Sequence, residues 1–186
     1  MSRSFAEFWG PVEVRAEVLP LAALRSTIRS VRRARLSNAH ALLERERAAG
    51  LRPYTSTRYA PDRVALGVIA ESYGATAVLL DGTNRAVAAL RHGCEAIAVT
   101  VIRPRVRKPP AAEVIPLGDV TVWAGNGPRT DLFRSLDERL FRPMPDILDR
   151  AEREVLAIVA EEDGNGPEGL HLGRVGRLGA VDEVGP

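Results

Sequence analysis

The chain's 186 residues are 45% hydrophobic, enough for one globular core plus extensions and too much for wholesale disorder. One cysteine, Cys94, and three histidines, His40, His92 and His171, argue against a disulfide framework and against a multi-thiolate or His-rich metal centre; no apolar run approaches the roughly 18 residues of a membrane span. The formal charge of +2 divides into +9 over residues 1–112 and −7 over 113–186, and of the 26 basic residues only Lys108 is not arginine. Arginine's planar fork of donors suits phosphate, so the basic half invites an anionic partner. The opening MSRSFAEFWGPVEVR lacks the basic-then-apolar layout of a secretory signal. A cytoplasmic protein without a membrane partner is therefore expected.

In chain order, Val12, Val14, Ala16 and Val18 alternate with polar residues and predict a strand over Val12–Val18. Pro20 is placed to open a helix in its tolerated first turn. In that helix Leu21, Leu24, Ile28 and Val31 fall on one face, beside a stripe of Arg25, Arg29 and Arg32 flanked by Arg33 and Arg35. The Arg25–Arg35 ridge reads either as a solvated face or as a phosphate contact for nucleotide or DNA. Ser37 and Asn38 look like caps for a second helix over Ala39–Ala49, ended by Gly50. The segment Leu51–Pro61 is a polar loop in which Thr57 and Arg58 can meet substrate or phosphate.

Two apolar stretches, Val64–Ala70 and Ala75–Leu80, flank Glu71-Ser72-Tyr73-Gly74 and suggest a hairpin. The first also fits a helix after Pro61-Asp62; the second reads as a buried strand. Asp81–Asn84 breaks that strand, Arg85–His92 forms a short helix closed by Gly93, and Glu95–Ile102 alternates as another strand. Arg103–Pro110 marks a boundary, followed by extended pieces at Val114-Ile115 and Val120–Trp123. Acidic helices are predicted over Asp131–Phe141 and Pro145–Glu162. The expected organisation is a core over 1–110, a strand-helix extension over 111–162 and a flexible glycine-rich tail over 163–186.

The chemistry concentrates at Asp81-Gly82-Thr83-Asn84-Arg85. A strand that delivers a glycine turn to a helix N-terminus exposes unpaired N–H groups and a partial positive charge, a setting suited to phosphate. Thr83 or Asn84 can cap the helix. Arg85 in the first turn opposes the macrodipole unless an anion lies nearby. Asp81 can hold Mg²⁺, orient Arg85 or act as a base. An internal Asp81–Arg85 ion pair explains the same residues without a ligand.

The stretch VLLDGTNRAVAALRHGCEAIAVTVI resembles the signature segment of the ParB/sulfiredoxin-like superfamily, and VEVRAEVLPLAALR resembles its opening strand and proline-led helix. The likeness spans about residues 11–103. It implies an α/β (α+β) domain with a mixed sheet and flanking helices, here followed by the acidic C-terminal helices. Sulfiredoxins carry a catalytic cysteine before a His-Arg pair where this chain has Thr83, Asn84 and Arg85, so thiol-based chemistry is not implied. Partition-type ParB proteins have Gly-Glu-Arg-Arg, matched at Gly82 and Arg85. The ADP-dependent free serine kinases have Asp-Gly-His-His-Arg, matched at Asp81, Gly82 and Arg85, and this branch is the most similar.

The resemblance implies that Gly82, Thr83, Asn84 and Arg85 cradle the phosphates of ADP or ATP, with CTP as a further candidate. Asp81 would stand beside Mg²⁺ or the transferring group, and Asp81 and Arg85 would be the catalytic pair. The implied activity is phosphoryl transfer to a small hydroxyl-bearing metabolite or amino acid. Thr83 and Asn84 replace both histidines, which removes two candidates for acid/base or phosphate contacts. The alternatives are a DNA-binding, partition-type protein and a regulatory nucleotide binder without turnover.

Overall fold

A computed structural model describes residues 2–50, 57–60, 63–65, 67–125 and 135–140, together with Met144, Leu148, Arg150 and Arg153. The chain opens with helix α1 (Ser2–Trp9) and strand β1 (Val12–Pro20), followed by one 3-10 turn at Leu21–Ala23. Then come β2 (Leu24–Ser26), β3 (Ser30–Arg32), α2 (Arg33–Ala48), β4 (Thr57–Ala60) and β5 (Arg63–Ala65). The hairpin β6 (Val68–Tyr73) and β7 (Thr76–Asp81) leads into α3 (Thr83–Arg91), β8 (Ala96–Pro104), β9 (Ile115–Pro116) and β10 (Thr121–Trp123). Among the described residues no helix is long and apolar enough to cross a membrane.

Six strands form one mixed sheet in the order β1-β8-β6-β7-β2-β9, which makes the fold α+β. The pairs β6/β8 and β2/β7 are parallel; β1/β8, β6/β7 and β2/β9 are antiparallel. Strand parity assigns the two faces. Val68, Ala70, Leu79, Val99 and Val101 meet α2 and α3 through Leu43 and Val87, whereas Ile69 and Ile102 meet Phe5, Trp9 and Met144. Each fully buried leucine, valine or isoleucine contributes about 1.5–3 kcal/mol of transfer free energy. Both faces are therefore cores, which explains why β7 is apolar almost throughout.

Several expectations are corrected. The helix expected after Pro20 is instead a turn and two short strands. Leu24 and Val31 are both buried as the helical spacing required, but they are buried from extended backbone paired to β7 and β10. Local chemistry favours this outcome: Ser26 Oγ accepts from Ile28 N at 2.9 Å and donates to Ile28 O at 2.8 Å, competing with helical bonds next to β-branched Thr27 and Ile28. The arginine ridge is thereby divided. Arg25 lies on β2, with its guanidinium on Ala22 O and Leu24 O; Arg29 is in the link, Arg32 occupies the N-cap position of α2 without a side-chain cap bond, and Arg33 and Arg35 stand exposed in its first turn. Helix α2 begins at Arg33, so Ser37 and Asn38 are not caps, and Ser37 Oγ bonds Arg33 O within the helix.

The hairpin is present, but Glu71, Ser72 and Tyr73 belong to β6 and the turn is Gly74-Ala75, with Gly74 at φ +71°. Val64 and Ala65 pair with β4 rather than continuing into β6. Thr57 and Arg58 lie on a strand; residues 51–56 of the expected loop lie outside the described residues. Helix α3 starts two residues earlier than the sequence pattern predicts, at Thr83, and β8 runs on to Pro104. In the expected helix over Asp131–Phe141, residues 135–140 contain a β-bridge from Leu136 to Ala112 and a 3-10 turn instead. Most of 145–162, and all of 163–186, lie outside the described residues; Leu148, Arg150 and Arg153 are helical.

Along β1 the half-buried positions change from Val12 and Val14 to Glu17 and Leu19 with no break in register, and Val18 is 51% exposed. Glu17 receives two hydrogen bonds from the Arg103 guanidinium on β8, one of them at 2.7 Å. That bond holds the Glu17 carboxyl below its ordinary 4.5. A carboxyl lowered on folding stabilises above its unfolded value, and the contribution disappears as pH falls through the folded value. The pair is partly exposed, so its worth is below about 1 kcal/mol. We expect Glu17→Gln to lower the urea midpoint near neutral pH and to narrow the loss of stability on acidification below about pH 4.5. Equal acid sensitivity in both proteins would refute this assignment.

Candidate functional site

The parallel neighbours β2 and β7, in register Leu24↔Ala77 and Arg25↔Val78, end side by side at one sheet edge. Ser26–Arg29 leaves from one strand and Asp81-Gly82 from the other. Carboxyl ends of adjacent parallel strands are where open α/β sheets place ligands.

Gly82 is needed there twice over. Its φ of +88° lies in the left-handed region, and a Cβ at this position would stand 2.9 Å from Val68 Cγ2 and 3.1 Å from Val68 Cα. Glycine therefore sets both the turn angle and the close approach to β6. It is also the N-cap of α3, without a side-chain cap bond, and Ala86 N donates to Gly82 O at 2.9 Å. Neither Thr83 nor Asn84 caps the helix, contrary to expectation. Helix geometry leaves the first-turn N–H groups, those of Thr83, Asn84 and Arg85, without an acceptor inside the helix. Thr83 is 5% exposed, and Asn84 Oδ1 is buried with no hydrogen-bond partner among the described residues.

Arg85 reaches back to Asp81, with Nη2 2.6 Å from Oδ2; the side chains are 19% and 39% exposed respectively. The internal ion pair is thus formed. Its carboxylate offsets the cost of a cation at a helix N-terminus. A guanidinium carries five N–H donors, so this pairing is compatible with contact to an anion.

Helix α2 meets the C-terminal end of α3: His92 Nε2 lies 2.8 Å from Glu44 Oε1, and Arg47 Nη2 donates to Cys94 Sγ at 3.2 Å. The α2 first turn, which carries Arg33 and Arg35, also has no acid and no side-chain cap.

The structure brings Asp81, Gly82, Thr83, Asn84 and Arg85 into one turn. Thr57 and Arg58 are placed by backbone pairing to Ala65 and Val64. Ala65 is three residues before Val68, so this hairpin leads into the edge where Gly82 sits. Val68 as the wall of the turn is not legible from sequence, because it lies fourteen residues upstream and meets Gly82 only through the sheet. Among the described residues no three histidine, cysteine, aspartate or glutamate side chains are grouped to hold a metal.

No protein-family model matches the chain, and no curated protein is similar to it. Among solved structures, protein Atu1540 from Agrobacterium tumefaciens overlaps with a TM-score of 0.31 and 13% identity, covering 62% of this chain and 44% of that one. The chain thus spans less than half of that protein's length, and the likeness carries no functional argument.

Proposed function

We propose that this cytoplasmic protein binds a nucleotide at the Gly82 turn and transfers a phosphoryl group to a small hydroxyl-bearing acceptor. The observation that carries the reading is the left-handed Gly82, pressed on Val68, which opens α3 without a cap beside an Asp81-held Arg85. The likeness of Asp81-Gly82-x-x-Arg85 to the ADP-dependent free serine kinases supports it.

In this mechanism the first-turn N–H groups and Arg85 take the phosphate oxygens, and positioning with charge neutralisation supplies most of the catalysis. Asn84 offers its amide group to the same anion. The acceptor oxygen forms the new P–O bond as the bond to the leaving phosphate breaks, and the hydroxyl proton passes to water. Magnesium carried by a nucleotide takes most of its ligands from phosphates and water and only one or two carboxylates from protein. Asp81, 39% exposed, fits as that single ligand. The ion, when bound, neutralises phosphate charge.

The test is phosphorus NMR with ADP, ATP and CTP plus Mg²⁺ against a panel of hydroxyl-bearing metabolites, beside thermal denaturation with each nucleotide. A raised melting temperature and a new phosphoester signal are expected. Stabilisation without product leaves a regulatory binder. No stabilisation by any nucleotide overturns the reading, and steeply salt-dependent binding to duplex DNA then favours the partition-type alternative.

A further inference from the structure

A second site lies on the sheet face opposite α2 and α3. A cavity of about 210 Å³ opens there between β6, β7, the Thr27-Ile28 link, Pro110-Ala111, Leu136 and Met144. Its walls are mostly apolar, with Val78 and Leu80 from β7. Among the described residues Glu71 of β6 is the one charged side chain lining it, and Glu71 is fully buried. Tyr73 also lines the cavity, with its hydroxyl donating to Lys108 O at 2.7 Å.

A carboxylate held out of solvent is costly unless positive charge or hydrogen-bond donors satisfy it. Glu71 has an interaction within the chain. Carboxylates offer roughly four acceptor sites, so such a contact and a ligand can be served together. The size fits a small guest, since an apolar cavity of roughly 150 Å³ already takes benzene. Apolar walls around few convergent polar groups are the usual composition of a small-molecule pocket. Thr27 is a further polar residue of the lining.

We propose that this cavity binds a small organic ammonium: an apolar body against Val78, Leu80 and Met144, with its cationic nitrogen on the Glu71 carboxylate. Thr27 accepts or donates one further hydrogen bond. The site is separate from the Gly82 turn, because none of Asp81, Gly82, Thr83, Asn84 and Arg85 lines the cavity.

The test titrates the full-length protein with benzylamine and, separately, with isosteric neutral benzyl alcohol, reading NMR shifts of the Val78, Leu80 and Met144 methyl groups. Hydrogen bonds to charged groups are worth about 1.5–3 kcal/mol, so benzylamine should bind at least about tenfold more tightly than the alcohol. Glu71→Gln should bring the two affinities together. Ala111→Phe, a change at the cavity wall outside the sheet, should abolish binding of both and keeps the test valid if Glu71→Gln fails to fold. Equal affinity for amine and alcohol in the wild type overturns the proposal, as does amine binding that survives Ala111→Phe or no binding at all. No nucleotide is present, so these outcomes leave the Gly82 reading untouched.

Discussion

Gly82→Ala is expected to lower stability by about 2–5 kcal/mol, the largest effect of a methyl addition at any of the described glycines. Two costs add. A non-glycine residue in the left-handed region loses about 1–2 kcal/mol, and the new Cβ, 2.9 Å from Val68 Cγ2, overpacks a buried contact at about 1–3 kcal/mol. For a chain of this size each kcal/mol moves the melting temperature by about 2–4 °C, so a fall of about 10 °C is anticipated. Two comparisons separate the terms. Gly74 has φ +71°, but a Cβ added there would meet nothing within 4 Å, so Gly74→Ala should show the backbone cost alone. In a Val68→Ala background, Gly82→Ala should cost less than in the wild type, because the partner of the clash has been trimmed. Additive losses in the double variant would mean that Val68 does not press on the turn.

Arg85→Ala is expected to weaken nucleotide binding by about 10- to 100-fold, the loss of one charge-assisted contact to phosphate. Stability should barely change. Asp81, 39% exposed, recovers water when its partner is removed, and the helix loses a cation from the end where its dipole disfavours one. Arg85→Lys should recover only part of the affinity, since a point charge replaces a fork. Asp81→Asn should weaken binding less than Arg85→Ala if Asp81 positions the guanidinium, and its deficit should depend on Mg²⁺ if it also holds the ion. Calorimetric titration with and without Mg²⁺ reads both. Unchanged affinity in Arg85→Ala would leave the Asp81–Arg85 pair as a purely structural bond of the turn.

Legibility follows the range of the interactions concerned. The β1, β7 and α3 segments are readable because each is decided locally, by alternation, by an apolar run and by a glycine break. The Asp81–Arg85 turn is readable for the same reason. Residues 21–32 are not, since Leu24 and Val31 satisfy helical spacing and are buried either way; pairing with β7 and β10, more than fifty residues away in each case, decides for extended backbone. The pairing of Glu17 is hidden because its partner, Arg103, lies 86 residues further along the chain. Glu71 looks like a turn residue because it is polar, yet the register Glu71↔Val78 makes it a buried strand position. Sequence pattern reports what a residue prefers on average, and a buried carboxylate is the case where the average fails.

The β1/β8 pairing also governs how the chain is made. Pro20 pairs with Ala96 and Val12 with Pro104, separations of 76 and 92 residues. At roughly 5–20 residues per second of synthesis, β1 waits about 4–18 seconds after it is translated before its partner exists. During that interval a nine-residue strand stands with both edges open. Glu13, Arg15 and Glu17 at alternate positions make it a poor template for other nascent chains, because charges on an unpaired strand discourage edge-to-edge association. Glu17, which pairs with Arg103 in the finished sheet, thus serves first to keep β1 apart from its neighbours on the polysome.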